Sequence, residues 1–143
     1  MTLSEQRFAD LLASVGAPTP APASGSVLAL TGALAAALAE LAAGIARDES
    51  ATVRAHELGA RLTELADEDV VAYSAFLAER SAKSRAAIVR VPEEIAACAD
   101  EVATLADTVG AKLRSAVAAD ATAAAGLARA AAGVARGLAQ VNA

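Results

Sequence analysis

The sequence predicts an all-α fold, about five helices in an antiparallel helical bundle, paired as an intimate homodimer. Three observations carry this expectation. Of 143 residues 56% are hydrophobic but only 2% aromatic, so Ala, Leu and Val must fill the core. Alanine has the best helix propensity and little volume, which favours long helices with closely approaching backbones. No stretch shows the period-two alternation of a half-buried strand, and no internal repeat stands out. Two of the helices read as apolar on every side, more surface than one short chain can cover, and a two-fold partner would cover it. Residues 1–143 read as one domain.

The first helix is expected from about Ser4, a plausible N-cap, to Ser14, with Phe8, Leu11 and Leu12 on one face. A proline-punctuated loop, PTPAPASGS, follows. The second helix starts near Ser24 or Ser26, either of which can cap, and ends around Ala46. Its stretch Val27–Ala46 is about long enough to span a bilayer and carries one formal charge, Glu40. Its Ala and Gly content and the lack of basic or aromatic flanks point to a buried helix, with no membrane partner. The third helix is expected from Ser50 to about Ala82. The fourth runs from Pro92, read with Glu93 and Glu94 as a first turn, to about Arg114. The fifth spans about Val117 to Gln140. Gly32, Gly44, Gly126, Gly133 and Gly137 are read as marking close helix crossings. MTLSEQRFADLLASVG lacks the basic and continuously apolar regions of a secretory signal.

Charge and chemistry narrow the function classes. Twelve Lys and Arg against 17 Asp and Glu give a net charge of −5, and with no basic run a nucleic-acid partner is not expected. One cysteine, Cys98, and one histidine, His56, make neither an intramolecular disulfide nor a metal cluster. A reducing, cytoplasmic setting fits. Cys98 reads as a small core residue and His56 as a solvated one.

Asp69 is the informative side chain. Helical spacing places it on a stripe with Leu58, Leu62 and Leu65 before it and Ala72, Tyr73, Phe76 and Leu77 after it. Asp67 falls on the opposite side, where solvent is expected. A carboxylate on a core-facing stripe costs several kcal/mol unless it is paired or protonated. It is therefore either a site carboxylate facing a cationic or proton-bearing ligand, or an acid satisfied by a buried Arg, a backbone group or a partner chain. Tyr73 is a stacking residue for a planar ligand or a core residue with its hydroxyl outward.

The chain resembles the formiminotransferase-cyclodeaminase and methenyltetrahydrofolate cyclohydrolase family. Pro20-Ala21-Pro22-Ala23-Ser24-Gly25-Ser26-Val27 is similar to its P-x-P-G-G-G-S loop, and Leu65 through Tyr73 to its L-x-D-x-D-x-x-A-F/Y segment. Val91-Pro92-Glu93-Glu94-Ile95-Ala96 is similar to V-P-L-x-I-A, and Asp120 through Asn142 to the family's closing segment. The resemblance implies a helical dimer that binds a reduced folate and, without a prosthetic group, either hydrolyses a methenyl group or expels ammonia from a formimino group. It implies Asp69 as the catalytic acid and Ser24, Gly25, Ser26, Tyr73, Asp120 and Asn142 as substrate contacts, with no metal ligands. The alternative is a catalytically lapsed or repurposed helical dimer that binds, or cyclises, another imine-bearing small molecule.

Two features of the resemblance carry structural expectations. Where the family writes three glycines this chain has Ala23, Ser24 and Gly25, and a Cβ costs roughly 1–2 kcal/mol wherever φ must be positive. Asp120 and Asn142 would lie about 33 Å apart along a continuous fifth helix, so one chain cannot bring both to one ligand.

Overall fold

A computed structural model describes the backbone of residues 1–143 and every side chain except that of Ser115. One 3₁₀ turn, Leu3–Glu5, precedes α1 (Phe8–Gly16), α2 (Ser24–Ile45), α3 (Glu49–Glu79), α4 (Ala82–Gly110) and α5 (Ser115–Asn142). The described residues contain no strand. The connections 46–48, 80–81 and 111–114 are short, so successive long helices reverse direction. α5 returns to α2 and closes a four-helix bundle, and α2 also packs across the diagonal on α4. One end of the bundle therefore gathers the start of α2, the end of α3, the start of α4 and the end of α5.

The interior is built largely of methyl groups. Leu62, Leu65, Val91, Ile95, Val102 and Val109 are the largest fully buried aliphatic chains, and most of the remaining core positions are alanine. Helices consequently approach closely. A Cβ at Gly32 would stand 3.1 Å from Leu62 Cδ1, and one at Gly110 would stand 3.1 Å from Ala121 Cβ. Gly32 thus marks a crossing as its sequence context suggests. Gly44, Gly126, Gly133 and Gly137 do not: nothing in this chain comes within 4 Å of a Cβ built there. α2 has the length and composition of a membrane-crossing helix, and in the structure it buries one alanine-rich face against its neighbours.

Several helix limits differ from the sequence expectation, each because another group takes the end. Ser4 lies in the 3₁₀ turn, where Glu5 Oε2 accepts the Thr2 N–H at 2.9 Å and its hydroxyl at 2.8 Å. α1 starts later, at Phe8, and buries no residue; Phe8 is 70% and Leu12 57% exposed. α2 has Ala23 at its N-cap, with no side chain to accept a hydrogen bond. Neither Ser24 nor Ser26 caps it. α3 is capped by Asp48 rather than Ser50: Asp48 Oδ1 accepts the Ala51 N–H at 3.1 Å and the Ser50 hydroxyl at 3.2 Å. α3 ends at Glu79, and Arg80 turns the chain in the left-handed region (φ 49°).

The largest difference concerns Pro92. α4 begins ten residues earlier than Pro92, with Ser81 Oγ accepting the Ser84 N–H at 3.1 Å. Pro92 is therefore fully buried inside the helix. An interior proline withholds the N–H that the carbonyl four residues earlier would accept. That carbonyl belongs to Ile88, and Asn142 Nδ2 donates to it at 2.8 Å from α5.

Candidate functional site

α2 begins without a cap of its own, yet helix N-termini leave backbone N–H groups without partners and attract negative charge. The carboxyl of Asp69, projecting from α3, takes that place. It lies directly over Gly25: a Cβ there would stand 2.5 Å from Asp69 Oδ2 and closer still to Cγ and Oδ1. Glycine is required here by this contact and not by backbone conformation, since no glycine in the chain has positive φ. Ala23 likewise has φ −138°. The strain expected from replacing glycine in this loop is therefore absent.

Burial pushes the Asp69 carboxyl above the ordinary carboxylate range, against an opposing pull from the backbone N–H of Ser26. The Ser26 hydroxyl itself donates to the Ala66 carbonyl at 2.7 Å. Its single proton is committed there, so the backbone N–H is the Ser26 donor left for the carboxyl. No cation contributes to the shift. Of the partners considered for a buried acid, no arginine pairs with Asp69, and its carboxyl lies over the backbone at a helix start.

Asp69 also borders a cavity of about 190 Å³. Pro20, Ala21, Ala23, Ser24 and Gly25 supply one wall from the loop and first turn of α2. Asp69 and Tyr73, one turn apart on α3, supply the second. Ile88 of α4 and the pair Leu138 and Asn142 of α5 complete it. The cavity thus combines one carboxyl, one phenol ring, one amide and aliphatic surface. Tyr73 is half-buried, with its ring centroid 6.4 Å from that of Phe76. Among the described residues, no three His, Cys, Asp or Glu side chains are grouped to hold a metal ion.

The family model for formiminotransferase-cyclodeaminase matches residues 7–143. The chain belongs to the formiminotransferase-cyclodeaminase family. A search of the curated proteins gives no match.

Of the residues that the family resemblance nominates, five (Ser24, Gly25, Asp69, Tyr73 and Asn142) line the one cavity. Ser26 lies behind it, fully buried, holding α2 to α3 through Ala66. Asp120 lies near the opposite end of the bundle, because α5 is continuous from Ser115 to Asn142 and 22 helical steps span about 33 Å. Sequence reasoning missed Ile88 and Leu138 as cavity walls. Leu138 sits four residues before Asn142, the same-face spacing that also links Asp69 to Tyr73. Asp67 does not face solvent as expected: it is half-buried, and its Oδ1 accepts the Leu3 N–H at 2.9 Å, tethering the N-terminal turn.

Proposed function

We propose that this member of the formiminotransferase-cyclodeaminase family acts on a one-carbon-substituted tetrahydrofolate, with Asp69 as its catalytic carboxylate. The observation that carries the reading is the seating of Asp69: half-buried, unpaired with any cation, and on the wall of a cavity formed by the loop and all four long helices. A carboxyl whose pKa is raised by burial gives up its proton less readily, which suits a group that must act as both proton acceptor and proton donor. In methenyl hydrolysis, Asp69 accepts a proton from water as the new C–O bond forms at the amidinium carbon. It then returns the proton to the ring nitrogen as the C–N bond breaks, and the hydroxyl left on the carbon gives its proton to solvent as the formyl C=O forms. In deamination, it takes the proton of the attacking ring nitrogen and hands it to departing ammonia. Both routes balance without a metal or prosthetic group, and the carboxylate's charge stabilises the cationic carbon.

Tyr73 offers a face for the ligand ring, Ser24 and Gly25 offer backbone at a helix start, and Asn142 offers an amide. About 190 Å³ is smaller than the roughly 300–1,000 Å³ of a drug-sized site, so it suits the ring head of a folate. The remainder of the ligand would extend beyond this chain's cavity. A homodimer is part of the proposal. Val27, Leu34 and Leu41 recur every seven residues along α2, Leu127, Val134 and Val141 do the same along α5, and all six are exposed. A seven-residue apolar repeat suits helix-on-helix packing against a second copy. Asp120, remote from this chain's cavity, would then serve the partner's. A reducing cytoplasm completes the proposal and suits the free Cys98.

A scaffold reading is supported by the same contact, because Asp69 lies over the first turn of a helix whose N-cap residue, Ala23, has no side-chain acceptor. Asp69→Asn separates the two. Asparagine keeps the size and an acceptor oxygen for the helix start but cannot exchange a proton in this way. The decay of methenyltetrahydrofolate absorbance should fall by about 10²–10⁴ in D69N while the protein stays folded. Equal turnover in D69N and wild type would remove Asp69 from the chemistry, and no turnover with no thermal shift of the wild type with any reduced folate would leave only the scaffold.

A further inference from the structure

The wall of the cavity on α4 and α5 is organised by a residue that does not line it. Pro92 removes the helical donor for Ile88, and its ring crowds that carbonyl outward. Asn142 Nδ2 takes the vacant acceptor at 2.8 Å. A carbonyl oxygen only accepts, so the nitrogen end of the amide must face α4, and the planar group turns Oδ1 the other way. Ile88 and Asn142 both border the cavity, and α5 stands diagonal to the helix that carries Asp69. Oδ1 has no hydrogen-bond partner among the described residues.

We propose that Pro92 is a positioning residue: the acceptor it opens on α4 orients Asn142 so that Oδ1 meets an N–H donor of the ligand, such as a ring lactam, amino or amidine group. This rests on the cavity being the ligand site, and it adds the polarity of the group recognised on the side away from Asp69. A proline inside a 29-residue helix is otherwise only a loss of helix propensity. Here the freed carbonyl is used by a side chain 54 positions away.

The test uses the full chain as wild type, Pro92→Ala, Asn142→Ala, Asn142→Asp and the P92A/N142A double variant. The first readout needs no ligand. NMR should show the Asn142 side-chain amide protons exchanging slowly in wild type and at least about tenfold faster in P92A, where the substituted alanine supplies the missing backbone N–H to Ile88. The second readout is calorimetric binding of 5-formyltetrahydrofolate. P92A and N142A should each weaken it by about 2–12-fold, the scale of one hydrogen bond, and the double variant no further. N142D keeps the shape but has no proton for Ile88, and should behave as N142A, which a packing role alone would not produce. Unchanged exchange in P92A overturns the device itself. A response in exchange with equal binding by wild type and N142A makes the link purely structural and overturns the positioning role. If the wild type does not bind the probe while its exchange still depends on Pro92, the folate reading and the ligand half of this inference fall together, leaving the Pro92–Asn142 link standing.

Discussion

At Gly25 a single methyl group tests the seating of Asp69. Alanine meets no backbone penalty there, because φ is not positive, and by propensity alone it would gain up to about 1 kcal/mol over glycine. The added Cβ, however, falls 2.5 Å from Asp69 Oδ2, where ordinary contact begins at 3.4 Å. The carboxyl must therefore retreat by roughly 0.9 Å or more. Because Cγ overlaps as well, spinning the oxygens about χ2 gives no relief; χ1 must change or α2 must shift. Overpacking of this kind costs about 1–3 kcal/mol, so Gly25→Ala is expected to destabilise by a net of about 1–2 kcal/mol. At about 2.1 cal/mol/K per residue, this lowers Tm by about 3–7 °C. In an Asp69→Ala background the obstacle is gone, and the same change should be neutral or stabilising by up to about 1 kcal/mol. Urea melts of the four proteins in this cycle measure the coupling, about 1–3 kcal/mol, from midpoints at constant slope. Equal effects of G25A in both backgrounds would refute the contact on which the site is built.

Four further outcomes are expected. The raised pKa of Asp69 means the folded state holds its proton more tightly than the unfolded chain. Its contribution therefore turns unfavourable as pH rises from the unfolded value near 3.8 through the folded value. The stability difference between D69N and wild type should accordingly grow over that window in favour of D69N, as followed by urea melts across pH. Asp48 has the opposite sign: Lys112 and the Ala51 N–H hold it below 3.8, so its stabilisation is present above 3.8 and lost as pH falls through the folded value, a component that Asp48→Asn should lack. Ser26→Ala removes the buried bond to Ala66 and should cost about 1 kcal/mol, or about 3 °C in Tm. For the proposed dimer, sedimentation should show two-chain particles for wild type and single chains for Leu34→Glu or Val134→Glu, whose parent side chains are 67% and 58% exposed; unchanged sedimentation would move the interface elsewhere.

The helical class and the standing of Asp69 were legible because both are periodic properties: an apolar stripe interrupted once is visible at 3.6-residue spacing. What escaped was set by distant partners. Pro92 looks like a helix start because its missing N–H is tolerated at a first turn, whereas in the structure it lies inside α4 and the Asn142 amide, far along the chain, takes the carbonyl it leaves free. Asp48 and Ser50 are equally good cap types, and geometry chose the former. Asp67 reads as solvated until the Leu3 N–H is found against it. In the same way, Gly25 looks like a conformational requirement in the sequence, whereas its reason is the side chain that rests on it.

The alanine interior has a consequence for how this protein can change. A methyl group has no rotamers to surrender on folding, so the ordered state gives up little side-chain freedom. It also has none to exchange afterwards. A leucine or methionine core can absorb an enlarged neighbour by swinging aside, but where alanine faces alanine added volume must displace a helix. Such displacements arrive undamped at the end of the bundle where four rods frame one small hollow, and drift in this lineage should therefore concentrate on the outer faces.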